Sequence, residues 1–329
     1  MNAAPATVYV FFFILFPPCL ICDIIPVVIH MNKHIAFIGS SVADVIIRIP
    51  HLPVRQEDIN IEAQTLSLGG CAFNAAWMCR LLGSDPLFFS PVGTGIYGDF
   101  VRRQLQERKI DILLESEEEN GCCYCLVESD GERTFLSHHG AEYRFQKEWF
   151  SLLDSYGVDT VYVCGLELEE KTGIYILDYL QKHPQLTIYF APGPRLSALA
   201  QGCIETLFSL HCILHLNEEE ACSFTGCPTA QQAAESLYER THNIVIITLG
   251  SRGCLLQQEG KCTHIPTEAV QIQDTIGAGD AHIGSIIALR EQGYCWQDTL
   301  RIANRICGHI VALPGALMSE TELAALSLF

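Results

Sequence analysis

The chain has 329 residues, 49% hydrophobic and 18% charged, enough for a large packed core in one α/β domain or two smaller ones. Its 38 acidic and 20 basic residues give a net charge of −18 without any Lys/Arg-rich block, so nucleic acid and an anionic membrane surface are unfavourable partners. We therefore expect a small-molecule ligand, and any phosphates it carries must be held by main-chain N–H groups and a metal ion.

The first 30 residues stand apart from the rest of the chain. Residues 8–16 are as apolar as the core of a signal peptide, but no Lys or Arg precedes them, prolines follow, and no small-residue cleavage site is present. We interpret residues 1–30 as an extension outside the domain, with Met31 as the true start and 31–329 as the domain. A membrane anchor is the alternative.

From residue 34 onward, short apolar runs alternate with amphipathic segments, which predicts a mostly parallel sheet with helices on both faces. The predicted strands are 35–39, 87–91, 160–164, 187–190, 212–216, 244–248 and 254–257. The predicted helices are 74–82, 99–108, 172–182, 230–239, 281–291 and 296–313.

Two segments, 45–66 and 122–137, fit this alternation poorly because they are polar and rich in β-forming residues. We expect them to pair into a small β-sheet lid that covers the ligand site and excludes water. The exposed edges of such a sheet often pair with a second subunit, so a homodimer through the lid is expected.

The sixteen cysteines raise the question of a disulfide or zinc protein. Cys122-Cys123-Tyr124-Cys125 has no second paired-cysteine knuckle and no histidine at ligand spacing, and Cys164, Cys212 and Cys254 lie inside apolar runs. We expect small buried thiols in a reducing compartment, and hence a cytoplasmic protein.

The most informative motif is Asp274-Thr275-Ile276-Gly277-Ala278-Gly279-Asp280, which precedes an apolar, helix-compatible run. A turn of Gly277, Ala278 and Gly279 that opens a helix leaves N–H groups free to bind an anion such as phosphate. Asp280 at the end of this turn can take a proton from an attacking hydroxyl, or it can act only as a helix cap.

Polar side chains also follow the first predicted strand. Asp44 is placed where open α/β sheets hold their ligands, and its carboxylate can bind two sugar hydroxyls or serve only as a turn residue. Gly69 and Gly70 let the main chain approach a ligand, and Asn74 offers both a donor and an acceptor.

A second polar group follows the strand at 212–216. Asn217 precedes three glutamates, of which Glu219 or Glu220 can hold Mg²⁺ through water, or can belong to a solvated helix N-terminus. The loop from Thr248 through Gly250 to Gly253 is consistent with main chain passing close to a nucleotide or with a simple hairpin.

Gly93-Thr94-Gly95-Ile96-Tyr97-Gly98 matches the dinucleotide-binding pattern, but it lies far from the first strand and its ribose-binding acid is only loosely offered by Asp111 or Glu115. A nicotinamide-dependent oxidoreductase is therefore a lesser alternative. No Gly-x-x-x-x-Gly-Lys-Ser/Thr sequence is present, which excludes a P-loop kinase.

In order from residue 35 to about residue 315, these motifs resemble those of the ribokinase (PfkB) family of sugar and nucleoside kinases. The resemblance implies a ribokinase-like fold, with ATP and Mg²⁺ as cofactors and K⁺ as an additional one. It implies Asp280 as the base, with Gly277, Ala278 and Gly279 as the anion hole. The other implied roles are Asp44, Gly69, Gly70, Asn74 and Glu167 on the substrate; Asn217, Thr248, Gly250, Gly253 and Asn304 on the nucleotide; Glu220 on Mg²⁺; and Asp274, Ile276 and Gly315 on a monovalent cation.

The expected activity is phosphorylation of a primary alcohol of a sugar or nucleoside. A catalytically silent, sugar-sensing protein on the same scaffold is the main alternative. Two positions depart from the family pattern. The family usually has a Phe after the catalytic Asp, whereas this chain has His282 two positions after Asp280. Ala191 stands where many relatives carry an Asp.

Overall fold

The computed structural model describes residues 34–313, 315 and 317–326, so our interpretation of the first 30 residues lies outside the described residues. Lys33–Phe329 forms one compact unit. Among the described residues, no helix combines the length and the apolar character needed to cross a bilayer. Every cysteine in this part of the chain is a free thiol.

The elements of the fold follow one another in a mostly alternating order. The strands are β1 His34–Ile38, β2 Val42–Arg48, β3 Ala63–Gly69, β4 Leu87–Phe89, β5 Pro91–Thr94, β6 Leu114–Glu119, β7 Cys122–Val127, β8 Arg133–His138, β9 Val158–Cys164, β10 Thr187–Ala191, β11 Ile213–Asn217, β12 Val245–Thr248, β13 Cys254–Gln258 and β14 Lys261–Ile265. The helices are α1 Cys71–Leu81, α2 Gly95–Glu107, α3 Ser151–Tyr156, α4 Gly165–Glu169, α5 Gly173–Lys182, α6 Gln201–Ser209, α7 Glu218–Thr225, α8 Ala230–Thr241, α9 Ala278–Glu291, α10 Trp296–Ile310 and α11 Glu320–Ala325.

The central sheet has eight strands in the order β14-β13-β12-β11-β10-β9-β1-β4. The six strands from β12 to β4 are mutually parallel, and β13 and β14 continue the sheet in antiparallel orientation. All seven predicted strands are present in it. The structure therefore confirms the predicted α/β fold with a mostly parallel sheet.

Both faces of this sheet are buried, as expected for parallel strands flanked by helices. Alternate residues of β9 belong to opposite cores: Val161 and Val163 pack with α5, α6 and α8, whereas Tyr162 and Cys164 pack with α1, α9 and α10. This period of two along a wholly apolar strand explains why the sequence shows continuous apolar runs.

A second sheet of four strands has the order β3-β2-β7-β8, with β2 and β7 parallel in its centre. The two ends of segment 45–66 lie in β2 and β3, and the two ends of segment 122–137 lie in β7 and β8, so both segments contribute to one small sheet. A pair of short strands, β5 and β6, forms a third sheet. The edge strands of the four-stranded sheet, β3 and β8, carry exposed apolar side chains, including Leu66, Phe135 and Leu136.

The sequence patterns did not predict every element. The six predicted helices are present, although α1 and α2 each begin several residues before the predicted start. The sequence did not predict helices α3, α4, α6, α7 and α11 or strands β5, β6 and β14. Helix α7 starts directly at the end of β11, and the sequence left its first residues open between a metal-holding strand end and a helix N-terminus.

Candidate active site

Two cavities open beside the carboxyl ends of the parallel strands. The first, which we call the acidic cavity, has a volume of about 170 Å³ and is lined by residues that include Cys71, Cys164, His215, Asn217, Glu220 and Asp280. The second, the apolar cavity, has a volume of about 270 Å³, and its lining includes Gly250, Gly253, Val270, Ile272, His282 and Asn304. Thr248 and Gly279 border both cavities, so the two meet at the start of α9.

The start of α9 has the geometry of an anion site. Gly277 caps the helix with a positive φ of 71°, a left-handed conformation that glycine adopts without strain. Within the described residues, the N–H groups of Gly279 and Asp280 make no main-chain hydrogen bond, and that of Ala278 makes only a long one of 3.4 Å to the carbonyl of Thr275. These unpaired donors, with the positive end of the helix dipole, favour a phosphate oxygen.

Asp280 lies in the first turn of α9 and faces α1. The side-chain amide of Asn74 donates a hydrogen bond to Asp280 Oδ2 over 2.9 Å. Burial raises the pKa of Asp280 to about 6, although the hydrogen bond from Asn74 acts in the opposite direction. A carboxylate that binds a proton near neutral pH is well matched to general-base catalysis.

Asn74 is buried in the first turn of α1, and its position depends on the two glycines before it. Gly70 caps α1 with a φ of 103°, and any side chain at this position would strike the carbonyl of Ser40 at 2.5 Å. The Oδ1 atom of Asn74 is buried and has no hydrogen-bond partner among the described residues. The site therefore presents an acceptor that is ready for a ligand donor.

Asp44 lies on β2 of the small sheet, opposite Ser67 of β3 and beside Cys123 of β7. A methyl group on Gly69 would come within 1.9 Å of Asp44 Oδ2, so only glycine leaves room for this carboxylate. Burial and, secondly, the charge of Asp280 raise the pKa of Asp44 to about 7. The negative charges of Asp44 and Asp280 thus repel each other across the site.

Glu167, in α4, is fully buried, and burial raises its pKa. Its Oε1 atom accepts the main-chain N–H of Ser40 over 2.8 Å, but Glu167 is not among the residues that line either cavity. In this structure, Glu167 therefore fixes the loop after β1, which connects to Asp44, and does not itself face the acidic cavity.

Asn217 and Glu220 form a capping box at the start of α7. The Asn217 side chain accepts the N–H of Glu220 over 2.8 Å, and Glu220 Oε2 accepts the N–H of Asn217 over 3.0 Å. The helix N-terminus is therefore present, and both residues also line the acidic cavity, whereas the role of Glu220 toward Mg²⁺ stays a prediction. Burial raises the pKa of Glu220, although its hydrogen bond from Asn217 lowers it.

The described residues contain no group of three or more His, Cys, Asp or Glu side chains that would by itself enclose a metal ion. Glu220 offers a single carboxylate with Oε1 outside the capping box. This arrangement fits Mg²⁺, which keeps much of its hydration and takes one or two carboxylates together with substrate phosphates.

The glycines between β12 and β13 shape the apolar cavity. A side chain at Gly253 would strike the carbonyl of Ile265 at 2.1 Å, so this glycine is required by packing against the end of β14. Gly250 has a φ of 59° and open space where a side chain would lie, on the wall of the cavity. The loop is thus both a hairpin and a cavity wall.

Asn304, from α10, lines the apolar cavity, but its amide is already engaged. Its Nδ2 atom donates to the carbonyl of Ile265 at 3.1 Å, and its Oδ1 accepts from His282 Nε2 at 3.1 Å. The other ring nitrogen of His282 is 2.8 Å from Nε2 of His215. His215 was not predicted as a site residue, because it lies within the apolar strand β11.

The orientation of Asn304 sets the tautomers of both rings. Because Asn304 Oδ1 must accept, His282 donates from Nε2, and its Nδ1 accepts the proton of His215 Nε2. Burial lowers the pKa of His282 to about 4, and burial followed by the repulsion of His282 lowers that of His215, so both rings are neutral at pH 7.

Asp274, the first residue of the motif, is already paired with a cationic side chain, the guanidinium of Arg133. Its Oδ1 atom accepts from Arg133 Nη1 at 2.6 Å and from the N–H of Ile276 at 2.8 Å, and its Oδ2 accepts the N–H of Gly315 at 3.0 Å. Burial alone would raise the pKa of Asp274, but these hydrogen bonds, with Arg133 first, lower it. The residues at this carboxylate do not fit the monovalent cation that the resemblance implied.

The dinucleotide-like glycines serve a different purpose. Side chains at Gly93 and Gly98 would strike main-chain carbonyls at 2.2 and 2.4 Å, and the N–H of Gly93 donates to Asn120 Oδ1 over 2.6 Å. These glycines allow β5, β6 and α2 to pack closely. They border neither the acidic nor the apolar cavity.

An anion site at a helix N-terminus, between an acid-lined cavity and an apolar, glycine-walled one, is the layout of a small-molecule kinase. The family model "pfkB family carbohydrate kinase" matches residues 32–322, and the chain belongs to this family. It is therefore a kinase that acts on sugars or nucleosides, and the nicotinamide alternative is not supported.

The chain is similar to several known members. It is 28% identical to the uncharacterized sugar kinase YegV of Escherichia coli K12 over 296 residues, which cover 88% of this chain and 92% of that protein. Ribokinase from Thermotoga maritima superimposes with a TM-score of 0.76 at 23% identity, covering 89% of this chain and 99% of that one. Arabidopsis thaliana ribokinase in complex with ribose and ATP gives 0.74 at 19% identity, covering 90% and 99%. These two structures confirm the ribokinase-like fold.

Proposed function

We propose that this protein transfers the γ-phosphate of ATP to the primary alcohol of an uncharged sugar or nucleoside. The observation that carries the proposal is the position of Asp280. Its carboxylate is hydrogen bonded to Asn74 on the side of the acidic cavity, while the unpaired N–H groups of the same helical turn lie between the two cavities. Base and anion hole thus belong to one turn of α9.

In this mechanism the acceptor hydroxyl lies against Asp280, which takes its proton as the oxygen attacks phosphorus. The N–H groups after Gly277, which are free of main-chain partners, would stabilise the charge on the transferred phosphoryl group. Asn74 holds the base at a fixed angle. The small sheet that carries Asp44 acts as the lid, and excludes water that would compete with the acceptor.

The nucleotide would occupy the apolar cavity. Val270 and Ile272 offer apolar surface to a base, and the hairpin through Gly250 allows close approach of the main chain. Asn217 and Glu220 stand on the acidic-cavity side of Thr248, where the phosphates would reach. When bound, Mg²⁺ would neutralise phosphate charge, and Glu220 is the side chain that would hold it through water.

The charges of the acidic cavity narrow the class of acceptor. Asp280 and Glu220 line the cavity, Asp44 lies close to Asp280, and no Lys or Arg is among the lining residues. A second negative charge about 4 Å from a carboxylate costs roughly 4 kcal/mol at an effective dielectric constant near 20. Sugar acids and sugar phosphates should therefore be excluded, and neutral polyhydroxy compounds accepted.

The remaining expectations concern assembly and location. The exposed Phe135 and Leu136 on edge strand β8, with Leu66 on β3, support a homodimer through the small sheet. The free thiols of the described cysteines, half of which are buried, support a reducing compartment such as the cytoplasm. Sedimentation of the purified protein would test the first of these.

The activity is tested by a coupled assay of residues 31–329 with Mg-ATP against pentoses, hexoses and nucleosides, each paired with its acid or phosphorylated derivative. We expect turnover with at least one neutral compound and none with the charged partner of the same skeleton. Saturable binding of a sugar without ADP formation would instead identify a silent sensor. Turnover confined to acids would contradict the substrate class.

A further inference from the structure

Asp274 and Arg133 form the most buried of the arginine–carboxylate ion pairs among the described residues, with side chains 13% and 21% exposed. They are 141 residues apart in sequence. Arg133 is the first residue of β8 in the small sheet, and Asp274 begins the loop that leads to the proposed anion hole. The contact therefore joins the small sheet to the catalytic loop.

We propose that the guanidinium of Arg133 takes the place of a monovalent cation at Asp274, so that this kinase needs no K⁺. The inference rests on the proposed kinase function. A cation site at a carboxylate requires oxygen lone pairs that face an open position. Here Arg133 and the N–H of Ile276 engage Oδ1, and the N–H of Gly315 engages one side of Oδ2, so three of the roughly four lone pairs are taken and the charge is already balanced by Arg133.

The environment of Arg133 supports a fixed position rather than a chance surface contact. Its Nε atom is buried without a hydrogen-bond partner among the described residues, so the side chain has given up hydration to reach Asp274. Leaving a buried donor unpaired destabilises the folded protein, and the charge-assisted bond to the carboxylate must offset that loss. The exposed pair of Arg144 and Glu118 lacks this feature.

The charge of Arg133 matters because of where Asp274 stands. The carboxylate holds the N–H of Ile276, one residue before Gly277, and so shapes the turn that presents the anion hole. An uncompensated negative charge at this point would oppose phosphate binding in the same turn. Arg133 neutralises that charge and fixes the turn, as a bound cation would.

The first test compares the wild-type protein in potassium chloride and in choline chloride at equal ionic strength. We expect kcat to agree within about twofold, because the protein supplies its own cation. The melting temperature should also be the same in both salts. A wild-type rate or melting temperature that rises clearly with K⁺ would overturn the inference. Because the melting temperature does not depend on turnover, it tests K⁺ binding even if no acceptor is phosphorylated.

The second test uses Arg133→Met, with Arg144→Met as the matched control. In choline chloride we expect kcat of Arg133→Met to fall at least about tenfold, in keeping with the loss of one electrostatic group near a phosphate site. K⁺ or guanidinium should restore most of the rate and raise the melting temperature, whereas Arg144→Met should behave as wild type.

A loss in Arg133→Met that no cation repairs would show a merely structural contact and would contradict the proposal. If this variant fails to fold, Arg133→Lys keeps the positive charge and can replace it. Arg133→Lys should then remain independent of K⁺, and strong activation by K⁺ would count against the inference. Absence of kinase activity in the wild type, with equal melting temperatures in both salts, would refute only the proposed function.

Discussion

The two cavities that meet at α9 are built on opposite principles. On the acidic side, Asp44 and Asp280 are held with pKa values of about 7 and 6, and the buried Oδ1 of Asn74 has no partner. On the apolar side, His282 and Asn304 satisfy each other and the neighbouring carbonyls. The acidic cavity is thus incomplete without a ligand, whereas the apolar cavity is complete and offers mainly shape.

This difference indicates where the chemistry and its cost are concentrated. Perturbed carboxylates and unpaired buried acceptors destabilise a folded protein, so they persist where a reaction needs them. A satisfied apolar pocket can bind a nucleotide by its shape, with few side-chain hydrogen bonds. Substitutions on the acidic side should therefore affect turnover, and those on the apolar side should affect mainly stability and ATP affinity.

The largest expected effect comes from Asp280→Asn, which keeps the shape of the base and removes its basicity. We expect kcat to fall by at least about a hundredfold with little change in ATP affinity, as is usual for loss of a general base. Steady-state kinetics and nucleotide titration measure the two quantities. Asp99→Asn, an exposed change in α2, is the control, and near-normal turnover of Asp280→Asn would refute the mechanism.

Gly69→Ala tests whether the acceptor position depends on Asp44. The new methyl group would meet Asp44 Oδ2 at 1.9 Å, so the carboxylate must move. Because a small misplacement of a binding group is costly, we expect the KM for the acceptor to rise roughly 10–100-fold, with the KM for ATP unchanged. Gly202→Ala, on α6 with open space around it, should leave both constants intact. Equal effects on both substrates would contradict the division between the cavities.

Asp44→Asn tests the stability cost of the acidic side. Folding raises the pKa of Asp44 from 3.8 to about 7, so ionisation destabilises the native state increasingly between these values. Near pH 8 the variant should melt several degrees above wild type, and near pH 4 the two proteins should have the same melting temperature. Acceptor binding should weaken. Thermal melts at both pH values measure this, with the exposed Asp58→Asn as control. A pH-independent difference would show that burial of the charge is not the cause.

The smallest effect on catalysis is expected from His282→Phe on the apolar side. It leaves the N–H of His215 and Oδ1 of Asn304 without partners, which should destabilise the protein by about 1–3 kcal/mol in urea unfolding. We expect kcat to change by less than about threefold. The control is His138→Phe on the exposed face of β8. A hundredfold loss of kcat would contradict the division between the acidic and the apolar cavity, because it would show that the histidine pair takes part in phosphoryl transfer.

Much of the fold could be predicted from local patterns. The alternation of apolar runs and amphipathic segments located all seven predicted strands, because a strand buried on both faces is continuously apolar. It did not locate α7, where the helix begins without a loop after β11, so a strand end and a helix start were both open for the capping residues Asn217 and Glu220. Boundary errors at α1 and α2 arose because both helices begin at or beside glycines.

The candidate site was predictable where one motif contains both parts of a function. Asp280 and the turn before it are contiguous, so spacing alone could predict a carboxylate in the first turn of a helix beside free N–H groups, which is the geometry that the structure has. Glu167 and Asn304 were associated with ligands by resemblance. In the structure, Glu167 is hydrogen bonded to Ser40, and Asn304 is hydrogen bonded to His282. His215 and Arg133 gave no local signal, since the partners of each lie far away in sequence.

The sequence by itself determined the class of fold and the glycine turn with its adjacent carboxylate, which we propose as anion hole and base, because these depend on periodicity and on residues within one turn. Only the tertiary structure decided which distant groups complete them: Asn74 reaches Asp280 across 206 residues, and Arg133 reaches Asp274 across 141. The reason is geometric. Packing α1 against α9, and the small sheet against the catalytic loop, brings together side chains whose separation in sequence carries no information about their distance in space.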